Sequence, residues 1–215
     1  MYTYSTLPTP VRLIPLTILL FTFFVGGAVA RAMIAAELPP VSPPAGSAAP
    51  SISPLFTPEV QYWADEIARW SEAHSLDPNL VATVMQIESC GNPEAVSSSG
   101  AQGLFQVMPF HFAEGEAMRD PDTNAQQGLD YLARGLALAN NQPGLALAGY
   151  NGGHSQITKV WGNWPAETKR YYYWGSGIYA EVSAGGDSSP TLNEWLNAGG
   201  ASLCEKAKKQ LAISD

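Results

Sequence analysis

Apolar residues recur at three- and four-residue intervals along much of this chain, and strict alternation is nearly absent, so the pattern predicts helices rather than strands. In the run Asp77–Glu88, Leu80, Val81, Val84 and Ile87 form one stripe, opened by an N-cap aspartate and by Pro78 at the first helical position. A second stripe, Val60, Trp63, Ala64, Ile67 and Trp70, follows Thr57-Pro58. Leu129, Leu132, Ala133 and Leu136 mark a helix over 123–139, and shorter helical patterns lie at 144–150 and 166–182. Ser189-Pro190 opens a further helix before Gly199-Gly200, and Leu203, Cys204, Ala207 and Leu211 pattern the C-terminal one. One polar residue breaks the rule. Glu88 lies four residues after Val84 and eight after Leu80, so it points with the apolar stripe. Burying a carboxylate disfavours its charged form and raises its pKa, which suits a general acid working near neutrality. The competing reading is a glutamate that reaches water or pairs with a cation.

The N-terminal pattern is of another kind. Arg12 precedes an apolar stretch, Leu13 to Ala30, closed by Arg31. At 18 residues it is close to the minimum for a membrane-spanning helix. Ala28-Val29-Ala30 also has the small-x-small form of a signal cleavage site. Residues 1–36 therefore read as a signal peptide or a signal-anchor helix, and either places the domain beyond it outside the cytoplasm. Residues 37–56, rich in proline, serine and alanine, read as an extended tether. A single domain is expected over 57–215, with a C-terminal helical extension at 184–215.

After Glu88 the chain reads Ser89-Cys90-Gly91-Asn92-Pro93, then Gly100-Ala101-Gln102-Gly103-Leu104-Phe105-Gln106-Val107-Met108-Pro109. The glycines and Asn92-Pro93 end the helix, and Gly100 and Gly103 let the backbone fold back toward it. A carboxylic acid, the Ser97 hydroxyl and the Gln106 amide can then converge, with Met108 as an apolar wall. These segments are joined in order by Asp120-Pro121 with Asn124, by Ala148-Gly149-Tyr150-Asn151-Gly152-Gly153, and by Glu167-Thr168 with Tyr171 soon after. Together, over roughly residues 59–183, they resemble the catalytic domain of the soluble lytic transglycosylases. The departure is Gly149, where the family usually has alanine. It costs about 1 kcal/mol of helix propensity and removes no reactive group.

The resemblance implies a mainly α, goose-type lysozyme-like domain acting on the glycan strands of peptidoglycan. It implies Glu88 as the catalytic residue, with Ser97 near a sugar N-acetyl group or the glutamate. It further implies Gln106 and Met108 lining the sugar groove, the Tyr150 hydroxyl holding the glutamate, and Asn151 fixing the loop beneath. Most glycoside hydrolases need two carboxylates, and the motif set supplies one. Asp120 and Asp122 read as turn and cap residues, and Glu167 as a residue of its helix start. One carboxyl suits a non-hydrolytic cleavage of the bond between N-acetylmuramic acid and N-acetylglucosamine, with Glu88 as acid and then as base, leaving a 1,6-anhydromuramoyl end. The alternatives are a goose-type hydrolase and a catalytically silent wall-binding module.

Charge and composition narrow the partners. The formal net charge is −8, and lysine and arginine gather only near Lys206, Lys208 and Lys209, so nucleic acid is not an expected partner. The membrane is one only if the N-terminal helix is retained. The two cysteines, Cys90 and Cys204, fit an exported protein and pair as a disulfide or stand as two buried thiols. His74, His111 and His154 show no ligand spacing, so no metal or cofactor is expected. Trp161, Trp164 and the run Tyr171-Tyr172-Tyr173-Trp174 serve either core packing or stacking on sugar faces.

Overall fold

The computed structural model describes residues 51–214, and these are mainly helical. The helices are α1 (Pro58–Gln61), α2 (Ala64–His74), α3 (Pro78–Glu88), α4 (Pro121–Leu138), α5 (Pro143–Gly152), α6 (Ala166–Ser183), α7 (Pro190–Trp195) and α8 (Ala201–Leu211). Short 3-10 turns occur at Pro109–His111, His154–Gln156 and Trp161–Asn163. Among the described residues, extended pairing is confined to two isolated bridges, Val96 with Gln102 and Gln102 with Val107.

Helix α3 lies at the centre because it is apolar on nearly every face. Every residue from Leu80 to Gln86 is buried, and a helix apolar all round must be covered on all sides. Its start obeys the sequence: Asp77 accepts a hydrogen bond from the Asn79 backbone N–H at 2.8 Å, and Pro78 has no N–H that needs an acceptor. α4 begins the same way, with Asp120 accepting from Thr123 N–H at 2.9 Å. Around α3, the core gathers Ile67 and Trp70 from α2, Leu129 and Leu132 from α4, Leu147 from α5 and Ile178 from α6.

Two boundaries differ from the sequence expectation. The stripe from Val60 to Trp70 is carried by two helices, broken at Tyr62-Trp63. The backbone leaves helical geometry at Trp63, whose buried indole donates to the Gly91 carbonyl at 2.9 Å and stacks on Trp70. The tether, expected to run through residue 56, ends earlier. Ile52 and Phe56 are buried in the core, Ser53 N–H donates to Asn79 at 2.7 Å, and Thr57 N–H donates to Gln86 at 3.2 Å. Two apolar residues within a proline- and serine-rich window are enough to pin that stretch. The N-terminal apolar helix and residues 37–50 of the expected tether lie outside the described residues, among which no helix is long and apolar enough to cross a membrane.

The C-terminal extension packs against the domain. α7 ends at Trp195, a wide turn over Leu196–Gly200 redirects the chain, and α8 brings Cys204 to Cys90, with 5.0 Å between their Cα atoms. The two cysteines form a disulfide.

Candidate active site

Glu88 is the last residue of α3, and the chain leaves it through a tight turn. Ser89 donates its hydroxyl to the Leu104 carbonyl at 2.7 Å. Cys90 and Gly91 come next, both in the left-handed region, and at Gly91 a Cβ would lie 2.6 Å from the Glu59 carbonyl oxygen. Glycine is therefore required there on both conformational and steric grounds. The glycine-rich loop returns over the start of α4. Gly103 has φ +74°, and a Cβ on it would sit 2.6 Å from the Asn124 side chain. The buried Asn124 clamps that loop: its amide donates to Gln102 O and Met118 O, and its oxygen accepts from Phe105 N–H, each at 2.8 Å.

Two cavities meet at Asn151. One, of about 260 Å³, contains Glu88 and is walled by Ile87, Glu167, Arg170, Tyr171, Trp174 and Trp195. The other, of about 180 Å³, is lined by Gln106, Met108, Phe110, His111, Tyr131 and Tyr150 among others. Asn151 belongs to both walls and accepts a hydrogen bond from Thr168 at 3.0 Å, which ties α5 to α6 at their junction. A larger polar depression of about 510 Å³ around Glu94 and Arg119 holds none of these groups.

Glu88 keeps some surface along its cavity, but its carboxyl is crowded by protein on nearly all sides. Burial pushes its pKa from near 4.5 up to about 8. The Tyr171 hydroxyl opposes that rise and the charge of Glu167 adds to it. Tyr171 is itself buried, and its hydroxyl lacks a hydrogen bond of good geometry, so it faces the carboxyl without a fully formed bond. Burial first, then the Glu88 charge, raises the Tyr150 and Tyr171 phenols well above their ordinary range.

Several expected roles change. The Tyr150 hydroxyl does not hold the glutamate: it donates to the Phe105 carbonyl at 2.7 Å, and the phenol facing Glu88 with an open hydroxyl is Tyr171. Ser97 lines neither cavity, since its hydroxyl accepts from Ala101 N–H at 3.0 Å and closes the loop turn. Gln106 and Met108 do line the smaller cavity. Both amide hydrogens of Gln106 are committed to backbone, to Ala95 O and Gly103 O, so its oxygen is what it can offer a ligand. Asn151 sits at the junction of the cavities. Glu167 lies in the first turn of α6 as expected, but also in the cavity wall beside Glu88.

Sequence reasoning missed the run of rings beside the smaller cavity. Phe110, three-quarters exposed, lies 4.5 Å from His111, whose ring is 5.0 Å from Tyr131; Tyr131 stacks on His154 at 4.0 Å. No periodicity links rings drawn from two 3-10 turns and α4, so no signal in the chain announced them. Glu59, Cys90 and Cys204 bring their ligand atoms within 4.8 Å of one another, but a disulfide offers no thiolate, so this group does not fit a metal ion.

A family model described as the transglycosylase SLT domain matches residues 65–173. The transglycosylase of Enterobacteria phage PRD1 is 38% identical over 114 residues, covering 51% of this chain and 40% of that protein. The membrane-bound lytic murein transglycosylase C of Edwardsiella ictaluri is 30% identical over 118 residues, covering 46% of this chain and 33% of that protein. The chain thus spans well under half the length of these curated relatives. An inactive mutant of the lytic transglycosylase Slt from Pseudomonas aeruginosa, solved by X-ray methods, aligns over 69% of this chain and 24% of its own with 20% identity. Its TM-score of 0.40 is too low to carry a comparison of fold.

Proposed function

This chain belongs to the transglycosylase SLT domain family, and from that premise we propose that it is a lytic transglycosylase of peptidoglycan with a goose-type lysozyme-like fold. The reaction cleaves the β-1,4 bond between N-acetylmuramic acid and N-acetylglucosamine without water. Protonated Glu88 gives its proton to the glycosidic oxygen as the C1–O bond breaks, and the N-acetyl group of the same sugar shares the charge that develops at C1. The Glu88 carboxylate then takes the proton from the C6 hydroxyl, whose oxygen closes onto C1. The products are a 1,6-anhydromuramoyl end and a free N-acetylglucosamine 4-hydroxyl.

The observation that carries this reading is the Glu88 carboxyl, pushed up to about 8 in a cavity walled by Tyr171, Trp174 and Trp195. A group with that pKa is protonated at neutrality and is also a competent base once ionised. The glycan strand would run along the two cavities that meet at Asn151, with Gln106 and Met108 on the smaller side. The name of the Edwardsiella relative supports a place at the cell envelope, held there by the N-terminal apolar stretch.

Glu167 favours a second reading. It is a second carboxyl in the cavity that holds Glu88, and it could activate a water in a hydrolase. Mass spectrometry of fragments released from purified peptidoglycan separates the two. The lytic reaction gives muropeptides one water lighter than hydrolysis products, and Glu88→Gln releases nothing. Fragments of full hydrolytic mass, lost in Glu167→Gln, would establish the hydrolase. Wild-type release by Glu88→Gln would remove both readings.

A further inference from the structure

The family-matched segment ends at Tyr173, yet the cavity around Glu88 has a wall from beyond it. Trp174 follows directly within α6, but Trp195, the last residue of α7, comes from a separate segment. Three hydrogen bonds dock α7 on α6. The Glu181 carboxylate accepts from the Ser189 hydroxyl at 2.6 Å, from Thr191 N–H at 3.0 Å and from the Thr191 hydroxyl at 2.7 Å. Tyr173 adds a fourth bond, donating to Glu194 at 2.8 Å. Gly177 makes room for this docking, since a Cβ there would lie 2.6 Å from the Thr191 hydroxyl. On the far side of Trp195, Gly200 lies against the indole so closely that a Cβ would come within 2.4 Å of the ring. α8 starts one residue later and carries Cys204 to its partner Cys90, two residues past Glu88. The disulfide thus joins the strand leaving the carboxyl to the segment that carries its wall.

We propose that Trp195 is a positioning residue for proton transfer at Glu88: its indole closes the back of the cavity against water, and the Cys90–Cys204 bond holds the α7–α8 segment in place. This rests on the reading of Glu88 as the acid. The less water reaches an ionised carboxylate, the more tightly its proton is held. The other groups around Glu88 are Glu167, Arg170 and Tyr171 from α6 and Tyr150 and Asn151 from α5. None of these is altered by truncating Trp195, so a change in the acidity of Glu88 would report the entry of water.

The test is a titration of the Glu88 carboxyl by NMR in the full chain, labelled with 13C at glutamate carboxyls and assigned with Glu88→Gln. Wild type, Trp195→Ala, Trp195→Phe and wild type with the disulfide reduced are compared. The expected result is a midpoint lowered by about one pH unit or more in Trp195→Ala and in the reduced protein, and largely restored in Trp195→Phe. Cleavage of peptidoglycan should lose its alkaline limb by the same shift. An unmoved midpoint in folded Trp195→Ala overturns the proposal, as does an equal drop in Trp195→Phe. An unmoved midpoint on reduction overturns the role given to the disulfide. If Trp195→Ala does not fold, Trp195→Leu is read the same way. The titration needs no turnover, so a wild type that cleaves nothing would count against the proposed function alone.

Discussion

In the proposed reaction a single carboxyl is neutral when it donates and charged when it accepts, and its surroundings set the balance. Burial makes Glu88 hold its proton up to about pH 8, whereas an unfolded chain releases it near 4.5. The folded state therefore binds the extra proton between those values, so stability is full below about 4.5 and falls as pH rises toward 8. We expect Glu88→Gln to be more stable than wild type at pH 8, by on the order of 2–5 kcal/mol, with little difference at pH 4. Urea denaturation at the two values checks this, and equal differences at both would contradict the burial of the carboxyl. Tyr171 works in the opposite sense to burial, because its hydroxyl favours the charged form. Tyr171→Phe should move the alkaline limb of kcat/KM to higher pH, which a pH–rate profile reads directly. Of these residues, Glu88 was legible in the sequence because its position in the apolar stripe is a local fact. Which phenol meets it was not. Tyr150 and Tyr171 lie on different helices, and only the packing of α5 on α6 decides that Tyr150 turns to Phe105 and Tyr171 to the carboxyl.

Several side chains hold the glycine-rich loop as an element, and Asn124 is the one that ties it to α4. Asn124, buried in the first turns of α4, bonds three backbone groups of the chain that precedes it. Gly103 packs directly on that amide with a positive φ. Gly103→Ala is expected to cost about 1–3 kcal/mol, because it adds left-handed strain and forces Asn124 to move. The denaturant midpoint measures this, and a neutral effect would mean that the clamp adapts freely. Helix starts at this scale were legible, since Asp77-Pro78 and Asp120-Pro121 place the cap and the first helical residue without tertiary help. Gly149 shows the limit of such reasoning. By propensity it is merely a weak helix former, but in the fold a Cβ would lie 2.8 Å from Ile157, so the neighbouring isoleucine fills the space an alanine would take. The early end of the tether had the same origin: the burial of Ile52 and Phe56 depends on α3 and its neighbours, not on their own flanking residues.

At the scale of the molecule, α7 and α8 return to the candidate active site. No local pattern announces that return, because the path of α8 depends on a wide turn at Gly199-Gly200 and on the surface left open beside α1. The sequence offered two cysteines and left their pairing open; the fold joins them across a separation of 114 residues. In the chain-entropy model a loop of that size restricts the unfolded state enough to contribute ~4–5 kcal/mol. For a domain of this length that corresponds to a fall in Tm of roughly 10 °C or more on reduction. The loss should be uneven. Without the bond, α8 keeps a short apolar face around Leu203, Ala207 and Leu211, whereas α3 is enclosed on every side, so the C-terminal segment should open first. Limited proteolysis under reducing conditions should therefore cut near Gly199-Gly200 before any site in α2 to α6. The double variant Cys90→Ser with Cys204→Ser should behave as the reduced protein does. An unchanged melting curve in reductant would mean that packing alone holds the tail, and that the covalent tie to the strand leaving Glu88 adds nothing to the stability of the domain.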